Sequence, residues 1–100
     1  MKAADLFSLK GRVALVTGAS SGLGMQFAKA LADKGAAVAL VARRAERLAD
    51  VKKAIEAAGG RALAVEADVT DRAAMTRAFD TAEKAFGTVT ILVNNAGIAQ

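Results

Sequence analysis

Four short apolar runs punctuate the chain: Val13 to Val16, Val38 to Val41, Ala62 to Val65 and Ile91 to Val93. Each is nearly continuous rather than alternating, which predicts strands covered on both faces, as in a parallel sheet. Between the runs, apolar residues recur at spacings of three and four, the repeat of a helix with one buried face. Leu23, Phe27, Ala30 and Leu31 mark a first helix from about Gly22 to Lys34, with Gly35 as its terminating glycine. Leu48, Val51, Ile55 and Ala58 mark a second, which Gly59-Gly60 stops. Met75, Phe79, Ala82 and Phe86 mark a third, with Thr70 or Asp71 to cap its start and Gly87 its end. Met75 and Phe79 are read as core rather than as ligand contacts.

Strand, helix and strand in alternation build right-handed βαβ crossovers. The predicted fold class is α/β, a doubly wound Rossmann-type parallel sheet with strand order 3-2-1-4. In that order strands one and four diverge at a switch point, and ligands bind beyond the carboxyl ends of the strands there.

Two segments fall at this place. The first is Thr17-Gly18-Ala19-Ser20-Ser21-Gly22-Leu23-Gly24, a glycine-rich turn between strand one and helix one. The first N–H groups of a helix lack intrahelical partners, and the helix dipole is positive at that end. Glycines let the backbone approach a diphosphate closely. The spacing is Thr-Gly-x-x-x-Gly-x-Gly, which differs from the general Gly-x-Gly-x-x-Gly dinucleotide fingerprint. No Gly-Lys-Ser/Thr closes it, which argues against a P-loop NTPase. The second segment is Asn94-Asn95-Ala96-Gly97, directly after strand four. An asparagine at a buried strand end needs hydrogen-bond partners, so a role in tying neighbouring strands together is physically sensible.

Together and in this order, the two motifs resemble those of the short-chain dehydrogenase/reductase family, from about Leu9 to the last residue. The resemblance implies an oxidoreductase that passes a hydride between a nicotinamide and a carbonyl or alcohol carbon. It implies cofactor contacts from Gly18, Ser20, Ser21, Gly22, Leu23 and Gly24, with Leu23 offering its backbone N–H while its side chain packs inward. Ser21 is also a natural cap for helix one. Asp68-Val69, after strand three, resembles the family's adenine-contacting pair; a turn or capping role for Asp68 stands equally open. In the second motif the resemblance implies a structural role for Asn94 and Asn95, and cofactor proximity for Ala96 and Gly97.

The choice of nucleotide rests on strand two. An acidic residue roughly 20 positions after the glycine loop binds the ribose 2′-OH when NAD is preferred. That count, from Gly22, lands on Ala42, which neither accepts such a bond nor repels a 2′-phosphate. Arg43 and Arg44 follow, and a guanidinium's planar fork of donors matches a phosphate. In the resembling family a basic residue here implies NADP(H), so NADP(H) is expected over NAD(H). The plainer alternative, that both arginines merely begin a solvated helix, carries more weight for Arg44 than for Arg43.

Composition narrows the picture. One hundred residues, 54% hydrophobic and 24% charged, suit one globular domain. The chain has no Cys and no His, which removes disulfides, thiolate metal sites and the commonest general base. No metal site is expected. The net charge of +4 is spread along the chain, without the basic and aromatic interleaving of a nucleic-acid surface. Ser8 and Lys10 interrupt any leader-like run near the start, and no apolar run is long enough to cross a bilayer. The expectation is a soluble, cytoplasmic protein with a small-molecule substrate, and no nucleic-acid or membrane partner.

The resembling family catalyses with a Ser and a Tyr-x-x-x-Lys pair beyond the region matched here. This sequence contains no tyrosine, so no catalytic residue is assigned. Residues 1–100 are expected to be the amino-terminal, NADP(H)-binding half of one longer Rossmann domain, truncated after strand four, catalytically incompetent and association-prone by itself. The resemblance implies a homo-oligomer when complete. Two other classes remain: a non-catalytic nucleotide sensor on the same half-fold, and a methyltransferase-type domain. The second is disfavoured because it usually wants an acidic residue where Ala42 stands.

Overall fold

The structure is a computed structural model that describes residues 8–95. Its elements run β1 (Val13–Thr17), α1 (Gly22–Asp33), β2 (Ala37–Ala42), α2 (Ala45–Ala57), β3 (Arg61–Glu66), α3 (Arg72–Phe86) and β4 (Ile91–Asn94). All pairings are parallel and the order is β3-β2-β1-β4, as the alternation of patterns predicts.

Successive strand residues point to opposite faces, and two separate cores result. Val16, Val38, Leu40 and Ala42 pack with Ala28, Ala32, Leu48, Val51 and Ile55, so α1 and α2 cover one face. Leu15, Ala39 and Val41 pack with Ala78 and Ala82 of α3 on the other, and Met75 and Phe79 lie against that core. The central strands β1 and β2 are buried along their whole length. The outer strands depart from the expectation of cover on both faces. In β3 Arg61, Ala64 and Glu66 are exposed, and in β4 Leu92 is 56% exposed. Among the described residues each has only one neighbouring strand, and α3 packs chiefly over β1, β2 and β3.

Helix α1 buries a different face from the one its large apolar residues mark. Gly24, Ala28 and Ala32 face the sheet, whereas Leu23 is 46% and Phe27 38% exposed. The inward packing expected of Leu23 is therefore incorrect. The reason is distance: a Cβ on Gly24 would overlap the Gly18 carbonyl and come within 2.9 Å of Asn95 Nδ2. The helix sits so close to the end of β1 that only small side chains fit, and the rows at i, i+4 and i+8 that supply them turn inward. Met25 and Leu31 fill the flanks.

The helix ends follow the sequence signals. Gly35 takes φ 106° and Gly59 φ 90°, and each closes a helix in the same way. The Gly35 and Ala36 N–H groups donate to Ala32 and Leu31, and those of Gly59 and Gly60 to Glu56 and Ile55, the paired bonds of a Schellman motif. Asp71 caps α3 by accepting from the Ala74 N–H at 3.1 Å, which decides between Thr70 and Asp71. Among the described residues no helix is long and apolar enough to cross a membrane.

Candidate nucleotide site

The parallel register brings every chain reversal of interest to one end of the sheet. Thr17 lies opposite Val41 on one side and Asn94 on the other, and Ala42 lies opposite Glu66. The glycine loop after β1, the arginines after β2, Ala67 to Val69 after β3 and Asn95 after β4 therefore share the carboxyl edge. Gly18, Ser20, Ser21, Ala42, Arg43, Arg44, Ala67 and Val69 line a cleft of about 260 Å³ there.

The loop is held in shape by its own bonds. Gly18 has φ 63°, a left-handed turn that a side chain would resist. Its carbonyl accepts from the Ser21 N–H (3.1 Å), the Ser21 hydroxyl (2.8 Å) and Asn95 Nδ2 (3.3 Å). The Ser21 oxygen in turn accepts from the Gly24 N–H (3.1 Å) and Asn95 Nδ2 (2.9 Å). One proton and two lone pairs are thereby used, the full capacity of a hydroxyl. Ser21 is the N-cap of α1 and a brace for the loop, with nothing left to donate to a ligand in this arrangement.

Other donors remain. The N–H groups of Gly22 and Leu23, the first two residues of α1, bond to no group among the described residues. A Cβ built on Gly22 meets nothing within 4 Å. Ser20 is half-buried, lines the cleft, and its hydroxyl has no partner among the described residues. Unpaired amides at a helix N-terminus, with open space beside them, suit an anion such as a diphosphate. This donor set fits a dinucleotide.

Across the cleft, Arg44 is the N-cap of α2, with extended backbone and no side-chain capping bond. Arg43 precedes it with its side chain 78% exposed. Helix starts favour Ser, Thr, Asp or Asn, and cations near a helix N-terminus oppose the dipole. Two arginines here work against α2 rather than for it. Arg43 Nε lies 3.8 Å from Asp68 Oδ2. Asp68 Oδ1 accepts from the Thr70 N–H (2.9 Å) and the Thr70 hydroxyl (2.7 Å). Those two bonds, and to a lesser extent Arg43, hold the Asp68 carboxyl below its ordinary pKa. The turn role for Asp68 is thus present, and its carboxylate also faces Arg43. Val69 is exposed on the cleft wall beside Ala42 and Ala67.

At strand four, the Thr17 hydroxyl donates to Asn94 Oδ1 (3.1 Å), across the β1–β4 seam. Asn95 is 1% exposed and anchors the glycine loop. Its loop-bracing contacts were not specified by the sequence; the available signal was a polar side chain directly after an apolar strand. Ala96 and Gly97 lie outside the described residues. Among those described, no three metal-ligating side chains come together.

Comparison with known proteins agrees with this geometry. The family model described as short chain dehydrogenase matches residues 12–100. The chain is 48% identical over 94 residues to the gluconate 5-dehydrogenase of Gluconobacter oxydans, covering 94% of this chain and 37% of that protein. It is 46% identical to the NADP-dependent (R)-specific alcohol dehydrogenase of Lentilactobacillus kefiri, covering 91% of this chain and 36% of that protein. The crystal structure of hydroxysteroid dehydrogenase from Escherichia coli superposes with a TM-score of 0.88 at 34% identity, covering 91% of this chain and 39% of that one. The sequence thus spans little more than a third of these relatives. On its motifs, its fold and these matches, the chain belongs to the short-chain dehydrogenase family.

Proposed function

We propose that residues 1–100 form the NADP(H)-binding half of a Rossmann domain, in an oxidoreductase acting on a carbonyl or alcohol substrate. Members of the family take a nicotinamide dinucleotide, which when bound supplies the hydride chemistry. The task of this part of the chain is to grip and orient it. Gly22 and Leu23 offer amides to the diphosphate, and Ser20 offers its hydroxyl; Gly18, Ser21 and Gly24 keep that loop in shape. Ala42, Ala67 and Val69 offer an apolar slot for a flat base, and Asp68, between Ala67 and Val69 in the chain, is the candidate polar contact to it. Asn94 holds β4 against β1; cofactor contact by Ala96 and Gly97 is carried over from the motif alone. No proton donor or acceptor of the reaction is assigned among these residues; the sequence holds no tyrosine.

The observation that carries the preference for NADP(H) is the end of β2. A small apolar residue, Ala42, stands where a carboxylate would select NAD(H). Two arginines follow it on the rim of the same cleft as the loop, at a helix start they do not favour. One relative, the Lentilactobacillus kefiri alcohol dehydrogenase, is NADP-dependent by name.

The test is calorimetric titration of NADPH and NADH into the intact protein and its Arg43→Ala variant. A charge-assisted bond to phosphate contributes about 1.5–3 kcal/mol, and Arg43 is open to water, so the lower end applies. NADPH affinity should fall about tenfold, with NADH affinity nearly unchanged. Equal loss for both cofactors would defeat the assignment.

A further inference from the structure

Arg43 borders two depressions. One is the cleft just described. The other, about 380 Å³, shares Arg43 and Ala67 with it and is lined also by Glu66, Asp68 and Ala74. This second hollow is acidic. Glu66 ends β3 directly opposite Ala42 in the sheet register, and it is exposed. Asp68 is oriented by Thr70, which occupies Oδ1 through two bonds and leaves Oδ2 toward the guanidinium at 3.8 Å. The one cation best placed for a 2′-phosphate thus already faces a fixed carboxylate, and a second carboxylate lines the same hollow.

We propose that Asp68, reinforced by Glu66, is a specificity-determining counter-charge: it competes with the cofactor's 2′-phosphate for Arg43 and so limits the preference of the site for NADP(H) over NAD(H). The inference rests on the NADP(H) reading above and deepens it. When a 2′-phosphate arrives, Arg43 either leaves Asp68 or is shared between two anions. Either way the binding of NADP(H) carries a cost that the binding of NAD(H) does not. Any contact of Asp68 with the adenine is common to both cofactors and cancels in their ratio. Asp68 acts through Arg43, as a positioning residue, and touches no reacting atom.

Asp68→Asn removes the charge while keeping an oxygen for Thr70. In the intact protein the ratio of NADPH to NADH affinity should rise about two- to fivefold, the range for one solvent-exposed ion pair. Glu66→Gln should raise it in the same direction by less, and added salt should shrink both effects. Both dissociation constants come from one preparation, so a partial loss of folded protein cancels in the ratio. An unchanged or lowered ratio for Asp68→Asn overturns the proposal. If Arg43→Ala weakens NADPH selectively while Asp68→Asn leaves the ratio unmoved, only the counter-charge fails. If Arg43→Ala weakens both cofactors alike, the NADP(H) reading fails first.

Discussion

Substituting Gly24 by Ala adds one methyl group at the most crowded of the described glycines. That methyl would overlap the Gly18 carbonyl oxygen, with the Gly18 carbonyl carbon at 2.8 Å and Asn95 Nδ2 at 2.9 Å. None of these is the free end of a flexible chain. The carbonyl accepts three bonds, from the Ser21 N–H, the Ser21 hydroxyl and Asn95, so it cannot retreat without loosening them. Overpacking of this kind costs about 1–3 kcal/mol. Disturbing buried bonds adds about 1 kcal/mol for each one lost. Alanine's better helix propensity returns at most about 1 kcal/mol, and less in the first turn. The expected net destabilisation is about 2–4 kcal/mol. In urea this lowers the unfolding midpoint of the intact protein by roughly 1–2 M, with an unchanged slope. Gly22→Ala is the matched control, because the same methyl meets nothing within 4 Å two residues earlier. Its stability should stay within about 0.5 kcal/mol of the parent, and any loss should appear in cofactor affinity. A Gly24→Ala protein as stable as its parent, or a Gly22→Ala protein equally damaged, would refute the close-approach argument.

Two further outcomes follow from single side chains. Asp71→Ala removes the oxygen that accepts from the Ala74 N–H and should cost about 1 kcal/mol; thermal melts that coincide with the parent's would count against Asp71 as the cap. Thr70→Val removes one of the two bonds that hold the Asp68 carboxyl below its ordinary pKa, so a carboxyl NMR titration should find that pKa raised. A folded pKa below the unfolded one stabilises above the ordinary carboxylate range, and the gain fades as pH falls through the lowered value. The variant moves that fading to higher pH, and an unmoved Asp68 titration would show that Thr70's hydroxyl has no part in it.

What could be read from the residues, and what could not, divides by the range of the interactions. The strands of the sheet centre were legible because burial on both faces leaves an unbroken apolar run, as in Val13 to Val16. The helix ends were legible because Gly35 and Gly59 satisfy a local backbone demand. The inward face of α1 was misread because it is chosen by size and not by apolarity. Gly24, Ala28 and Ala32 win over Leu23 and Phe27 only because of how near β1 ends, a distance set by tertiary packing. Likewise, the glycine motif located the anion-ready loop, yet the saturation of Ser21 depends on Asn95, which is 74 residues away in the chain. The approach of Asp68 to Arg43 was also hidden, since it joins two loops from separate crossovers. A short motif specifies its own backbone well, but it does not name the partners that folding delivers to it.

The brace between Asn95 and the Gly18–Ser21 turn also has a consequence in time. During synthesis the residues of the turn leave the ribosome long before Asn95, since the contact spans 77 positions. Until the fourth strand docks, the Gly18 carbonyl and the Ser21 hydroxyl lack their outer donor. Contacts of such long sequence separation are among the last to form. A nascent protein should therefore have three strands assembled and still hold nucleotide poorly, with tight capture beginning only once the β4 terminus has cleared the exit tunnel.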